Sequence, residues 1–233
     1  MASLDRTHSE RMTRLLLIGF LLVSACGRPL TAPETALVSD IFGPTLDARK
    51  VRIVQDAPLR SFTVNLPPRP RVTCQEKIVP VRTGKLKVTP AGLVAFNRMF
   101  LSPGWSLADF VPDYPAEVNL YETMLFAHEM THIWQWQNRD RTNYHPLKAA
   151  AEHLASDDPY LFDPATSQPF LSYGYEQQAG LVEEYVCCAL LDPDGPRTAR
   201  LRDLISTEIP LGHIPPAQTY IGWPDAPREG LCS

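Results

Sequence analysis

From Glu117 to Asp140 the chain runs without a glycine or a proline, in a sequence that carries 23 prolines. No other feature constrains the fold as strongly. Proline removes a backbone donor and fixes φ, so the proline-dense stretches read as loops and short extended pieces, and regular structure gathers where proline is absent. Within this window Leu120, Met124, Ala127, Thr131 and Trp134 recur at three- and four-residue steps, as do Leu125, His128, His132 and Trp136. The spacing predicts one long, largely buried helix over about 117–138.

Further helices are expected over 145–155, with Pro146 in the first turn, and over 175–192 and 197–206. Short β-branched or apolar runs at 48–56, 77–81 and 92–101 have strand character, and 157–172 reads as loop. A chain of 233 residues suffices for one domain with a sizeable core, and two would be crowded. The fold class expected is therefore α+β. A formal net charge of -4 gives no electrostatic reason to expect a nucleic-acid partner, and there is no Gly-rich phosphate loop and no repeat.

The N-terminus reads as an export signal. Arg11 and Arg14 precede the apolar run 15–23, which is too short to span a bilayer and is followed by small residues. "VSAC" (23–26) resembles a bacterial lipobox, which implies lipidation of Cys26 and a membrane partner through that anchor. Gly27 follows the cysteine, where an aspartate would suggest inner-membrane retention. The expected destination is thus the envelope, at the outer membrane facing the periplasm. The expected organisation is a signal over 1–26, a tether over 27–39, a folded domain over 40–210 and a Pro-rich tail over 211–233. Export lets Cys74, Cys187, Cys188 and Cys232 oxidise. Adjacent Cys187 and Cys188 would each need a distant partner, or could be two small buried thiols. At least one disulfide involving Cys74 or Cys232 is expected.

The long helix carries "HEMTH" (128–132). His128 and His132 are four apart, so their imidazoles leave one helix face a turn apart and can share one zinc ion at ~2.0–2.1 Å. Glu129 sits roughly 100° around the helix, displaced from easy ligation but able to take a proton from a water at the metal. That is the H-E-x-x-H logic of zinc hydrolases. A metzincin would continue with a glycine and a third histidine, but 135–138 reads "QWQN".

The downstream "YGYEQQAGLVEEY" (173–185) resembles the gluzincin pattern, in which a glutamate on a second helix completes the site. The resemblance implies Glu176 as third ligand. Gly180 stands where many gluzincins carry an aspartate that orients a histidine. Glu183, on the same face as Glu176, is either an alternative ligand or an acceptor for one histidine's second N–H. Glu184 is expected to be solvated, as are His145 and His153. Tyr173 and Tyr175 are the sequence-near candidates for stabilising an oxyanion, with Tyr175 the one adjoining Glu176, and His145 and His213 are others from loops. "HEMTHIWQWQN" together with "YGYEQQA" resembles the zinc peptidases associated with contractile injection systems, including small Vgr-related proteins, over about residues 40–190. It implies a zincin-like fold, a small sheet packed on the H-E-x-x-H helix and a second Glu-bearing helix. It also implies zinc as cofactor, a peptide or protein substrate and secretion-system components as partners. The alternative is a catalytically inactive lipoprotein of that fold with a structural metal, acting in envelope or secretion-system assembly.

Overall fold

The computed structural model describes residues 27–156, 158–165, 168–227 and 229–232. The expected signal over 1–26, with Cys26, lies outside them. The expected tether is instead part of the fold. Thr31 accepts the Glu34 N–H and Glu34 reaches back to the Thr31 N–H, a reciprocal cap that starts α1 (Ala32–Phe42). Leu37, Val38, Ile41 and Phe42 form one stripe of α1 and are fully buried. Glu34 is buried too, held by Arg28 through two bonds of 2.7 Å and by the Phe110 N–H. A flexible linker cannot bury a carboxylate with its partners, so 27–39 belongs to the domain.

β1 (Arg52–Val54), β2 (Phe62–Leu66), α2 (Cys74–Ile78), β3 (Gly84–Val88), β4 (Gly92–Ala95) and β5 (Arg98–Leu101) follow. β1 pairs parallel with β5, and β5 pairs antiparallel with β4, giving the order β1-β5-β4 with β4 at the edge. β2 and β3 form a separate antiparallel hairpin. The strand expected over 77–81 is absent. A Thr73–Glu76 capping box starts a helix just upstream, and Pro80 follows its end.

β6 (Glu117–Asn119) leads directly into α3 (Leu120–Gln137), capped by Asn119, so the long helix starts three residues later than expected. The reason lies at the other end of the chain: 117–119 pairs in parallel with β7 (Gln218–Tyr220). The described residues of the expected tail are thus part of the fold, and Ile214, Leu231 and Cys232 are buried. α4 (Arg139–Thr142) and α5 (Pro146–Ala155) follow α3, then α6 (Tyr175–Leu191) and α7 (Pro196–Ile205).

α3 is the centre of the molecule. β4 and β5 pack on one side of it and α6 lies along another. Leu120, Met124, Phe126, Ala127, Met130, Ile133 and Trp134 are each fully buried. Two disulfides, Cys74–Cys187 and Cys188–Cys232, tie α2 and the C-terminal segment to α6. Each of the adjacent cysteines has a distant partner. Among the described residues no helix is long and apolar enough to cross a membrane.

Candidate metal centre

His128 and His132 are buried on the side of α3 that meets α6. Their Nε2 atoms each lie 3.2 Å from the same oxygen, Oε2 of Glu176, in the first turn of α6. In a tetrahedral zinc site with ligand distances of ~2.0–2.1 Å, neighbouring donor atoms are about 3.3 Å apart. Both histidine–carboxylate spacings therefore match those of a zinc site. His128, His132 and Glu176 also form a group whose donor atoms all lie within 4.8 Å of one another.

The outer nitrogens are fixed. His128 Nδ1 pairs with Glu183 Oε2 at 3.0 Å, and His132 Nδ1 pairs with Gln135 Oε1 at 2.9 Å. An acceptor on each Nδ1 assigns the proton there and turns Nε2 toward Glu176. Gln135 is itself anchored, donating to the Tyr175 carbonyl and to Gln178 Oε1 at 3.0 Å each. Glu183 is thus the acceptor of the two roles open to it, serving His128 from one turn beyond Gly180. Gly180 is a glycine for a packing reason: a Cβ there would lie 2.7 Å from the ring of Phe162.

Without a metal, protons do the ion's work. Burial alone would lower the His128 pKa, but the Glu176 and Glu183 carboxylates reverse this and raise it well above the ordinary imidazole value. His132 is raised as well, burial being outweighed by Glu176. Burial would raise the Glu176 pKa, but His132, His128 and His153 together hold it well below the carboxylate range. Two buried imidazoles with raised pKa around one carboxylate form a donor set in which taking up a divalent ion displaces protons.

Glu129 is buried and its pKa is raised, chiefly by that burial. It faces the edge strand: a Cβ on Gly92 would lie 2.8 Å from Glu129 Oε1. A cleft of about 480 Å³ opens over His128, Glu129, His132 and Glu176. The hairpin side chains Phe62, Val64 and Val88 form one wall, and Pro146, Ala149 and Ala150 of α5 line it as well. A second cavity of about 210 Å³ adjoins it, and Gly92, His128, Glu129 and Tyr160 line both.

Two expectations are corrected. Tyr175 does not face the metal donors: its hydroxyl donates to the Asn143 carbonyl at 2.8 Å, and its ring packs on Tyr144. His153 is exposed, as expected, and its Nε2 also reaches Glu176 Oε1 at 3.0 Å. Glu184 is buried, paired with Arg197 at 2.7 Å and accepting the Cys74 N–H at 2.6 Å. Tyr173 is packed away, His145 caps α5 through the Leu147 N–H, and His213 is exposed. The phenols that line the cleft are Tyr144 and Tyr160, with ring centroids 6.1 Å from His132 and 6.0 Å from His128. Burial and the Glu176 and Glu129 charges push the Tyr144 hydroxyl up, so it stays a neutral donor. Neither tyrosine carries a local sequence signal. Gln135 stands three residues beyond His132 on the same helix, and that spacing is the signal that could have found it.

No model of a known protein family matches the chain. In sequence it is similar to the type VI secretion system spike protein VgrG2b of Pseudomonas aeruginosa, with 24% identity over 159 residues, 68% of this chain and 13% of that protein. The chain thus corresponds to a small part of that relative's length. The solved effector domain of Pseudomonas aeruginosa VgrG2b shares 21% identity, covering 78% of this chain and 83% of its own, with a TM-score of 0.45.

Proposed function

We propose that this chain is a zinc-dependent peptidase of zincin-like fold, held at the bacterial envelope by a lipid on Cys26. The observation that carries the reading is the meeting of His128 Nε2 and His132 Nε2 on Glu176 Oε2, 3.2 Å from each, with Glu129 beside them. His128, His132 and Glu176 would hold the ion, which when bound supplies Lewis acidity and brings the pKa of water toward ~7.

Glu129 would then act as general base. It takes a proton from the attacking water as the oxygen bonds to the peptide carbonyl carbon. It returns that proton to the amide nitrogen as the C–N bond breaks. Glu183 and Gln135 keep the imidazoles oriented throughout. Tyr144, Tyr160 and His153 line the cleft and are the donors available to the carbonyl oxygen as it gains charge. The sequence similarity to a secretion-system spike protein brings components of such a system forward as partners.

One observation favours a second reading. His153 pairs with the other oxygen of Glu176 at 3.0 Å and stands outside the three-donor group, so it would close the site as a fourth ligand only if its ring moved inward. The metal would then be structural and the protein an envelope assembly factor. Glu129→Gln separates the two. Under the peptidase reading it keeps stoichiometric zinc and thermal stability, and lowers cleavage of unfolded protein or peptidoglycan peptides about 10²–10⁴-fold. His128→Ala loses the zinc. Wild-type protein that holds zinc and stability but cleaves nothing leaves the structural reading standing; Glu129→Gln that sheds metal as His128→Ala does defeats the role given to Glu129.

A further inference from the structure

The 210 Å³ cavity beside the metal centre is lined by four carboxylates, those of Glu76, Glu129, Glu183 and Glu184. Two are matched by protein groups. Glu184 has Arg197 and the Cys74 N–H. Glu76 accepts the Val72 and Thr73 N–H groups and lies 3.9 Å from Arg69. Arg69, the guanidinium on the lining, is engaged by both oxygens of Asp158. Glu183 is different. Its Oε2 serves His128, but its Oε1 is buried and has no hydrogen-bond partner. Only 8% of that side chain is exposed. A buried carboxylate oxygen without a donor is costly, and natural interiors rarely leave one so.

We infer that this cavity is a subsite for a primary ammonium group carried by the substrate, donated by a free amino terminus or by an aminoalkyl side chain next to the scissile bond. The inference rests on the peptidase reading for its place in a substrate and deepens it. An ammonium brings three N–H donors and one positive charge, the complement of an unpaired carboxylate oxygen. A neutral amide would bring a donor to Oε1 but no positive charge to a cavity lined by four carboxyl groups, and a carboxylate would be repelled. Position supports this. The cavity joins the apolar cleft at Gly92, His128 and Glu129, so a chain lying along the cleft delivers its next group there. Tyr121, also on the lining, is held neutral, its hydroxyl pushed up to about 12 by burial and the Glu183 charge. It adds a polar partner and no competing charge.

The test uses the zinc-loaded full chain in two arms. Calorimetric titration compares leucinamide, with an α-ammonium, and N-acetyl-lysine amide, with a side-chain ammonium, against neutral N-acetyl-norleucine amide. One ammonium probe should bind at least tenfold more tightly than the neutral one, and which it is names the source. Glu183→Gln, which keeps an acceptor for His128, should erase that preference. If that variant fails to fold, Ala91→Leu fills the cavity and should erase it instead. Equal binding of all three probes, or a preference that survives in the folded variant, overturns the subsite. The second arm measures kcat/KM on matched peptides bearing lysine or norleucine, with free or acetylated amino termini. Cleavage without preference for either ammonium leaves the peptidase reading intact and overturns the subsite. Tight ammonium binding with no cleavage of any peptide supports the subsite and removes the peptidase reading.

Discussion

Gly92 and Glu129 meet across the gap between β4 and α3 with no room for a methyl group. An alanine at 92 would put its Cβ 2.8 Å from Glu129 Oε1 and 3.0 Å from its Cδ. The carboxylate is the end of a side chain, so it would move rather than the strand. A displacement near 1 Å of a reacting group costs about 10²-fold in rate. Gly92→Ala should therefore lower kcat roughly that far while zinc content and melting temperature stay close to wild type; a variant that loses zinc equally would mean the strand had shifted instead. The histidines carry a second residue-scale prediction. The His128 pKa is raised above its ordinary 6.5 in the folded, metal-free chain. Its contribution to stability is complete below that ordinary value and is lost as pH climbs through the raised one. Glu176 is lowered below its ordinary 4.5, so its contribution is present above 4.5 and is lost as pH falls through the lowered value. Denaturant melts of chelated protein should thus show stability declining on the alkaline side. Zinc affinity should rise over the same range, because the ion displaces imidazole protons. A zinc affinity that does not change with pH would contradict the proton count at this site.

At the scale of elements, α5 and α6 are joined by a contact that no local pattern announces. α6 begins after Gly174, which has no side chain to cap it. Glu152 of α5 supplies the cap from outside, accepting the Tyr175 N–H at 2.9 Å and the Glu176 N–H at 3.4 Å. A carboxylate at a helix N-terminus is favourable, and here it fixes the turn that carries the third metal donor. Glu152→Ala should cost about 1 kcal/mol in denaturant unfolding and weaken zinc roughly tenfold in chelator competition. Unchanged zinc affinity would show that α6 needs no such support. The same contact shows what the sequence could and could not disclose. α3 and α6 were readable because each is long, free of interior proline and periodic, with metal donors at helical spacing. Their boundaries were not, since Glu117–Asn119 joins β7 from a segment about a hundred residues away. α1 was missed because the burial of Glu34 depends on Arg28 and Phe110, partners outside any helical repeat. The β2–β3 hairpin escaped although Lys85 to Val88 alternates as a strand does, because its partner Phe62–Leu66 is separated from it by the proline-rich run 67–70 and a helix, with no short turn to announce the pairing. Tyr175 was proposed on nearness in sequence to Glu176. One helical step turns its hydroxyl to Asn143, while Tyr144 and Tyr160 reach the cleft from α5's flanking loops.

For the whole molecule, α6 is the member through which distant parts are held. Its first half bears Glu176 and Glu183, and its second half bears Cys187 and Cys188. Those cysteines bind α2 and the C-terminal segment, closing sequence separations of 113 and 44 residues. In the chain-entropy account, such loops restrict the unfolded state by about 5 and about 4 kcal/mol taken singly, and by less than the sum together. A domain's net stability is only about 5–15 kcal/mol, so the bridges are a large share of it. Cys188→Ser with Cys232→Ser should lower unfolding free energy by roughly 4 kcal/mol. It should also free the C-terminal segment and with it β7, leaving the zinc donors in place. Cys74→Ser with Cys187→Ser should cost somewhat more and loosen α2, whose neighbour Thr73 lines the cavity beside Glu183. Disulfides persist in oxidising compartments, so an exported chain should carry no free thiol at these four positions, while one retained in the cytoplasm should carry four. Thiol counting on protein from each compartment, followed by denaturant melts, measures both quantities. Equal midpoints for the oxidised and reduced forms would show that the core around α3 stands without its covalent ties.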